Sequence, residues 1–258
     1  MMKKYSFLNY LSLLLLLGFM GSISSCQKDN YDAPKTKFTG HLVYKGTPIQ
    51  IKNNGLDVNK EGFSAVYFEL WQDGFGKSAP IDVYLNQDGS FSALLFNGEY
   101  KLIIPPGQGP FLSIANTETG SDTIPLSLNG NKEMDIEVLP YYMVDKADFT
   151  VGTDSVVSAA ASVSKIITDN RAKDIEYVGL YVNRTSFVDE DNNIAFKTIQ
   201  GADIADLSNI TLSAKIPKDI SGGNIGIADQ NYFFARVGVK IAGVDDMIFS
   251  DIVKVELK

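Results

Sequence analysis

The chain is built from short runs in which apolar and polar residues alternate, and residues that favour turns close each run. The clearest runs and turns are SAVYFELWQ before DGFG, PIDVYLN before QDG, SFSALLF before NG, and EYKLIIP soon after it. Asp-Gly and Asn-Gly pairs between apolar runs are strong hairpin signals, because these residues tolerate the positive backbone angles of tight turns. Amphipathic helix patterns of useful length are missing, and only GADIADLSN could form a short helical turn. The sequence therefore predicts a meander of antiparallel strands.

A Pro-flanked connection near Leu139 to Tyr142 separates two series of such runs. In the second series, apolar and polar residues alternate strictly in ITLSAKIP, residues 210–217, which predicts a strand with one buried face. Many short strands with closely spaced turns are typical of β-sandwiches. We therefore predict an all-β protein of two tandem β-sandwich domains, residues 36–139 and 140–258.

The start of the chain has the order of a secretory signal peptide: two lysines, an apolar stretch over residues 7–20, and then small polar residues. The apolar stretch is shorter than the roughly 20 residues that a membrane-spanning helix needs. ISSC, which ends at Cys26, resembles the lipobox of bacterial lipoproteins, in which the cysteine is acylated and begins the mature chain. We expect residues 1–25 to be removed, Cys26 to carry lipid, and residues 26–35 to form a tether. An ordinary signal peptide with a chance cysteine near the cleavage site is the alternative.

The residues that follow this cysteine, QKDN, resemble the short export signal of Bacteroidota lipoproteins that are displayed on the cell surface. We therefore expect the protein in the outer membrane, with membrane lipid as its partner through the acylated Cys26. The outer face of that membrane is favoured, and the periplasmic face stays open.

The charge of the chain narrows the choice of partners. The whole sequence has a formal charge of −8, and removing residues 1–25, which contain two lysines and no acid, changes it to −8 − 2 = −10. An acidic chain argues against nucleic acid and against anionic membrane surfaces. Cys26 is the single cysteine of the sequence, so once it is acylated no disulfide and no thiolate chemistry remain.

Two parts of the sequence resemble known sandwich domains. FTGHLVYKGTPIQ, followed later by IDVYLNQDGSFSALLFNGEYKLII, is similar to the carboxypeptidase-regulatory-like sandwich of the prealbumin type. FFARVGVKIAGVDDMIFSDIVKVELK resembles the closing hairpin of a fibronectin-III or immunoglobulin-like sandwich. With the lipoprotein signal, the set resembles an uncharacterised two-domain lipoprotein family of Bacteroidota, of the domain of unknown function 3823 type. This resemblance implies an association with SusC and SusD type glycan-uptake systems and supplies no catalytic motif.

The residues needed for several kinds of catalysis are missing from the sequence. His41 is the only histidine and lies in the first predicted strand, where a packed or hydrogen-bonded role is favoured over catalysis. There is no GxSxG motif, and the chain has too few His and Cys residues for a zinc site. A glycosidase would need two carboxylates across a cleft, which the sequence alone does not pair, so that class stays open. We predict no catalytic residues, no metal ligands and no cofactor.

One acidic segment, residues 189–193, raises the question of calcium binding. DEDNN places Asp189, Asp191 and Asn193 at alternate positions, as at the beginning of a calcium-binding loop. Ile194 stands where such a loop needs its turn glycine, and no glutamate closes the loop at its twelfth position. A solvated turn is the favoured interpretation, and calcium binding stays open.

The segment GFSAVYFELWQDGFG suggests a binding surface. In a strand, Tyr67, Glu69 and Trp71 share one face, and the other face is apolar. Aromatic rings beside carboxylates and amides suit a sugar, whose apolar C–H face packs on a ring while polar groups take its hydroxyls. The candidate glycan-binding residues are Tyr67, Trp71, Gln72, Asp73 and Phe75. The alternative is that Trp71 packs in the core or against the second domain, because the sequence does not decide which face of residues 64–72 is buried.

Two further tyrosines, Tyr141 and Tyr142, stand at the expected domain junction, where packing between domains explains them at least as well as binding. The function we infer is non-enzymatic: binding of a polysaccharide or oligosaccharide at the cell surface for a SusC/SusD-type system. The alternative is a structural accessory subunit that binds a protein of the same complex without affinity for sugar.

Overall fold

Strands make up nearly all of the regular structure. The structure, a computed structural model, describes residues 32–52, 67–74, 79–107, 109–115, 117–152, 155–217 and 230–256. In these residues it contains eighteen strands and one 3-10 turn, Gly201–Asp203, which lies in the segment predicted to form a helical turn. The predicted class is confirmed, because the strands form four sheets in two β-sandwich domains.

Two sheets form the N-terminal domain. Its strands are β1 (Thr36–Tyr44), β2 (Thr47–Pro48), β3 (Tyr67–Trp71), β4 (Ile81–Tyr84), β5 (Ser90–Leu95), β6 (Gly98–Ile103), β7 (Phe111–Ser113), β8 (Ile124–Leu128), β9 (Lys132–Glu133) and β10 (Ile136–Pro140). One sheet has the order β2-β1-β10-β7, with β5 and β9 also paired to β1, and the other has the order β4-β3-β6-β8.

The pairing of β1 differs from the predicted meander. This strand pairs antiparallel with β5 but parallel with β9 and β10. Parallel neighbours need a long connection, and here the chain passes through the β4-β3-β6-β8 sheet before it returns beside β1. The prediction of an antiparallel meander is therefore wrong at this strand. It is also wrong at the QDG and NG turns, because β4 and β6 belong to one sheet while β5, which lies between them in the chain, pairs with β1 in the other. Alternation identifies a strand without identifying its partner.

Three phenylalanines join the two sheets of this domain. The ring of Phe91 on β5 lies 5.0 Å from that of Phe38 on β1 and 4.9 Å from that of Phe68 on β3, measured between centroids. Tilted and edge-on contacts of this kind stabilise more than the buried area alone. Because Phe68 comes from the opposite sheet, this cluster fixes which face of β3 points into the core.

Two sheets also form the C-terminal domain. Its strands are β11 (Tyr142–Val151), β12 (Val156–Lys165), β13 (Ile175–Asn183), β14 (Ala195–Gln200), β15 (Ile210–Lys215), β16 (Tyr232–Ile241), β17 (Met247–Phe249) and β18 (Val253–Glu256). The three-stranded sheet has the order β11-β12-β15, and the five-stranded sheet has the order β14-β13-β16-β17, with β18 also paired to β16. In β15 the predicted alternation is confirmed, because its apolar residues are buried and its polar residues are exposed.

In the C-terminal domain, a second layer of apolar side chains covers the side of the five-stranded sheet that carries Tyr181 and Phe249. Gly179 and Gly238 are paired across β13 and β16, and the rings of Tyr181 and Phe249 lie over them. A Cβ at Gly179 would lie 2.6 Å from the Tyr181 ring, and one at Gly238 would lie 2.5 Å from the Phe249 ring. The two glycines are therefore required by the close approach of the rings, and this face of the sheet is also buried.

The extended segment of residues 49–52, which we call the arm, links the two domains. The Ile51 N–H donates to the Gln87 carbonyl at 2.8 Å within the N-terminal domain, and the Gln50 carbonyl accepts from the N–H of Phe249 at 2.9 Å. The Ile51 carbonyl accepts from Arg236 Nη1 at 3.0 Å. Residues 35–258 accordingly form one compact unit.

Arg236 is the buried centre of this contact. Its side chain is 0% exposed, its Nε donates to the carbonyl of Val188, and its guanidinium lies 3.7 Å from the centroid of the Phe249 ring. Its Nη2 lies 3.9 Å from Oδ2 of Asp189, which is also buried. Burial lowers the pKa of Arg236 to about 10, while the Asp189 carboxylate opposes this shift. The guanidinium therefore keeps its charge at neutral pH inside the protein.

We predict that Arg236→Met lowers the free energy of unfolding by about 3–5 kcal/mol, because it leaves the Asp189 carboxylate buried without its counter-charge. Urea unfolding followed by circular dichroism measures the change. Lys254→Met is the matched control, because Lys254 makes an exposed pair with Glu256 at 3.5 Å, and such pairs contribute about 1 kcal/mol or less. An equal, small effect of both substitutions would contradict the role of the buried cation.

Candidate functional site

The core decides which face of β3 is exposed. Phe68 and Leu70 are 0% exposed and belong to the core between the two sheets of the N-terminal domain. Side chains alternate along a strand, so Glu69 and Trp71 lie on the opposite, outer side, where both are half-buried. The alternative that Trp71 packs in the core is therefore wrong.

Strand register brings more side chains to this side of the sheet. Glu69 is opposite Asp82 on β4, and Trp71 is opposite Lys101 on β6. The outer face, as we call this surface, includes Glu69, Trp71, Asp73, Asp82, Tyr84, Glu99 and Lys101, with Ile103 opposite Glu69 and with Pro125 and Ser127 of β8 at its edge. Its second aromatic ring, Tyr84, is 48% exposed.

Hydrogen bonds fix the polar groups of the outer face. Trp71 Nε1 donates to Oε2 of Glu69 at 2.7 Å, so the indole is held beside a carboxylate of its own strand. Lys101 Nζ donates to Oδ2 of Asp73 at 3.0 Å. At the edge strand β8, the hydroxyl of Ser127 donates to Glu99 Oε1 at 2.5 Å. An aromatic ring held among carboxylates on a rigid sheet can pack against the C–H face of a sugar while the carboxylates accept hydrogen bonds from its hydroxyls.

The structure brings together only some of the residues proposed from the sequence. Trp71 and Asp73 lie on the outer face. Gln72 is directed elsewhere: its Nε2 would lie 2.4 Å from a Cβ at Gly98, and its side chain hydrogen-bonds with Tyr100, whose ring is buried. The reason is that Gln72 directly follows the last residue of β3, Trp71, so its side chain points to the opposite side.

Tyr67 and Phe75 complete the set of residues proposed from the sequence. The backbone of Tyr67 belongs to β3 and pairs with Tyr84, but its side chain lies outside the described residues. Phe75 lies outside them entirely.

Sequence reasoning missed Asp82, Tyr84, Glu99 and Lys101, because cross-strand register sets which residues of other strands stand beside Trp71. A weak signal existed: alternation in PIDVYLN places Asp82 and Tyr84 on one face of their strand. Nothing in the sequence gives the pairing of Trp71 with Lys101, since 30 residues along the chain separate them.

His41 is held by contacts with Asp135 and is not paired with a nucleophilic side chain among the described residues. Its Nδ1 lies 3.6 Å from Asp135 Oδ1, and its backbone N–H donates to the same oxygen at 2.9 Å. Ser90 is opposite His41 across β1 and β5, but the Ser90 hydroxyl hydrogen-bonds with Asp88 and accepts from Asn86 Nδ2 at 2.9 Å. The serine is therefore part of the turn, and not a hydroxyl held by the imidazole.

The acidic segment after β13 is a turn in which Asp191 and Asn192 are exposed but Asp189 is buried. Oδ1 of Asp189 accepts from the backbone N–H groups of Asp191 and Asn192 at 3.0 and 2.8 Å, and its Oδ2 faces Arg236. Asn193 Nδ2 donates to the carbonyls of the turn. The prediction of a solvated turn is wrong for Asp189 alone, whose carboxylate is buried beside Arg236.

The rest of this turn binds the arm. Lys52 Nζ donates to Glu190 Oε1 at 3.0 Å and to Asp191 Oδ2 at 2.5 Å. Burial lowers the pKa of Lys52, but these two carboxylates outweigh burial, so the pKa lies above its usual value. Across the described residues, no three His, Cys, Asp or Glu side chains are grouped so that they could hold a metal ion.

Tyr141 and Tyr142 are both buried at the junction of the domains. The Tyr142 hydroxyl donates to the carbonyl of Lys173 at 2.8 Å, and the Tyr141 N–H donates to the Pro110 carbonyl at 3.1 Å. Burial raises the pKa of Tyr141. The backbone of Tyr141 therefore contacts the N-terminal domain, whereas the Tyr142 hydroxyl is bound within the C-terminal domain.

The fold and the outer face define a two-domain β-sandwich protein whose N-terminal sheet exposes aromatic and acidic side chains. The chain belongs to the DUF3823 family: the model "Protein of unknown function (DUF3823) N-terminal domain" matches residues 36–139, and "Domain of unknown function (DUF3823_C)" matches residues 142–254. The family resemblance seen in the sequence is thereby confirmed.

Solved structures of similar proteins share this fold. A DUF3823 family protein from Parabacteroides merdae is 33% identical, with 88% of this chain and 100% of that chain covered and a TM-score of 0.69. One from Bacteroides ovatus is 29% identical, with 87% and 100% covered and a TM-score of 0.69. A protein from Bacteroides uniformis described as a "putative carbohydrate binding protein" is 14% identical, with 87% and 100% covered and a TM-score of 0.60, which shows a shared fold alone. No curated protein matches this chain.

Within the described residues, no helix is both long enough and apolar enough to cross a membrane.

We predict that Trp71→Ala and Leu70→Ala, neighbouring substitutions on β3, differ sharply in their effect on stability. Leu70→Ala empties a core position and lowers the free energy of unfolding by about 2–5 kcal/mol. Trp71→Ala costs less, about 1–2 kcal/mol, because the half-buried indole already exposes part of its surface and its one hydrogen bond to Glu69 lies outside the core. Urea unfolding of the two variants tests this difference. Comparable losses would show that Trp71 is a core residue.

Proposed function

We propose that this protein is a non-enzymatic lipoprotein of the outer membrane that binds glycan through the outer face of its N-terminal domain. The observation that carries the proposal is the partly exposed indole of Trp71, whose N–H is held by Glu69 at 2.7 Å on a rigid sheet. Tyr84 adds a second exposed ring on the neighbouring strand.

The chemistry of this face suits a sugar chain. Sugar rings present apolar C–H faces to aromatic side chains and hydroxyl donors to carboxylates. The protein of the same fold from Bacteroides uniformis is described as a "putative carbohydrate binding protein", and this description agrees with the proposal.

We place the function in binding rather than in catalysis. The acids Asp73, Asp82 and Glu99 are exposed on the surface of a sheet, whereas glycoside hydrolysis needs two carboxylates that face each other across a cleft. The family itself is of unknown function and brings no catalytic residues to carry over.

The proposed location of the protein at the outer membrane rests on the sequence alone. Residues 1–25 and Cys26 lie outside the described residues, so the structure adds nothing to it. The order of basic, apolar and small residues before the cysteine supports export and acylation, and QKDN after it supports display at the cell surface. A glycan-binding protein at that place would deliver polysaccharide or oligosaccharide to an uptake system of the SusC/SusD type.

A second candidate function is an accessory subunit that binds a protein partner and no sugar. The observation that favours it is the set of exposed apolar side chains away from the outer face, with Leu94 on β5 60% exposed and Phe196 on β14 61% exposed. The two side chains lie in different domains, and a protein partner that covers either one would remove apolar area from water.

We expect residues 27–258 to bind at least one polysaccharide on an array, and Trp71→Ala to weaken that binding about tenfold or more through loss of ring stacking. Isothermal titration calorimetry with the bound glycan gives the affinities, and circular dichroism confirms that the variant is folded. Phe196→Ala is the control, because it removes an exposed ring of the other domain. Absence of binding across the array would favour the accessory subunit.

We expect Cys26→Ser to release the protein from the membrane fraction, because the substitution removes the acylated thiol. Cell fractionation measures the release. Proteinase K added to intact cells should degrade the unsubstituted protein if it is on the outer surface. Protection from the protease together with retention in the outer membrane would place it on the periplasmic side.

A further inference from the structure

The outer face carries a strong excess of negative charge. Its described residues include four carboxylates, Glu69, Asp73, Asp82 and Glu99, and one ammonium group, Lys101, which gives a formal charge of −4 + 1 = −3. The charge surrounds Trp71, which is opposite Lys101 on β6 and two residues from Glu69 on β3.

The positive charge on this face is already neutralised. Lys101 Nζ lies 3.0 Å from Oδ2 of Asp73. Lys132 reaches only the margin, where its Nζ donates to the Ser127 carbonyl at 3.4 Å. A ligand that lies on Trp71 therefore meets an excess of carboxylates, and the one ammonium group beside the ring, Lys101, is shared with Asp73.

The position of Glu69 opposite Asp82 adds to the preference for ligands without negative groups. The two are directly opposite across β3 and β4, and like charges in this arrangement destabilise a sheet. A hydroxyl or amine donor of a ligand would relieve the repulsion between these carboxylates. A carboxylate or sulfate of a ligand would add to it.

We propose that the outer face binds glycans that are uncharged or carry amines, and excludes glycans that carry carboxylate or sulfate groups. This inference rests on the proposed glycan binding at Trp71 and names the chemical class of its ligand. The carboxylates act as acceptors for hydroxyl or ammonium donors, and the indole packs against the sugar ring.

The test uses residues 27–258 with four kinds of polysaccharide: a panel of neutral glucans, mannans and xylans, together with chitosan, polygalacturonate and chondroitin sulfate. Affinity electrophoresis and calorimetry are run at low and at physiological salt, because screening weakens interactions between exposed charges. The affinity of the Trp71→Ala variant is measured for each polysaccharide as well, so that binding at the outer face is separated from binding elsewhere.

Two charge-reversing variants give the matched comparison. Asp82→Lys changes the charge of the outer face, and Asp203→Lys changes the net charge of the chain equally at the exposed 3-10 turn of the other domain. We expect Asp82→Lys to weaken chitosan binding about fivefold and to improve binding of polygalacturonate by a similar factor, with little change for Asp203→Lys.

The outcomes separate this inference from the proposed function. Binding of a neutral or amine-bearing glycan that Trp71→Ala abolishes, with no Trp71-dependent binding of either polyanion, supports the inference. Trp71-dependent binding of polygalacturonate or chondroitin sulfate overturns the inference and leaves glycan binding intact. Equal effects of Asp82→Lys and Asp203→Lys also overturn it, because the net charge of the chain would then control binding. Absence of binding to all four kinds of polysaccharide overturns the proposed function and this inference with it.

Discussion

The buried guanidinium of Arg236 is the interaction on which the arrangement of the two domains depends. It binds the Ile51 carbonyl of the N-terminal arm and the Val188 carbonyl of its own domain, and it faces Asp189. Removing a charge from water is costly unless hydrogen bonds and a counter-charge replace the solvent. Because its hydrogen-bond acceptors come from both domains, the burial of this residue requires the two sandwiches to stay packed together.

The glycine pair beneath the aromatic layer makes this burial possible. With no Cβ at Gly179 and Gly238, the Tyr181 and Phe249 rings lie close to the sheet, and the Arg236 guanidinium packs on the Phe249 ring. Cations pack favourably on aromatic faces when water is excluded. Acidic residues that first suggested a calcium loop serve this contact instead: Asp189 neutralises Arg236, and the carboxylates beside it bind Lys52.

The candidate binding surface follows from a different constraint, the period of two in a β-strand. Once Phe68 and Leu70 are buried, Glu69 and Trp71 have to point outward. The site therefore lies on a strand of a paired sheet, and the hydrogen bond from the Trp71 indole to Glu69 holds the ring before any ligand arrives. A ring that is already ordered loses less conformational entropy on binding. The acidic residues around it set the chemical class of ligand that we propose.

Much of this protein was predictable from local patterns. Alternation identified the strands, the all-β class and the two sandwiches, and the Asp-Gly and Asn-Gly pairs marked turns between strands, because side-chain period and turn chemistry act over a few residues. The hairpins predicted at QDG and NG did not form, since β5 lies in a different sheet from β4 and β6. The same alternation divided β3 into an apolar face and a face with Glu69 and Trp71. Tertiary structure decided which strands pair, which face of β3 is buried, and which neighbours surround Trp71. It also decided the burial of Arg236, whose carbonyl partner Ile51 is 185 residues away along the chain. The physical reason is that strand propensity is local, whereas register, burial and charge pairing are set by contacts between segments that only the folded chain brings together.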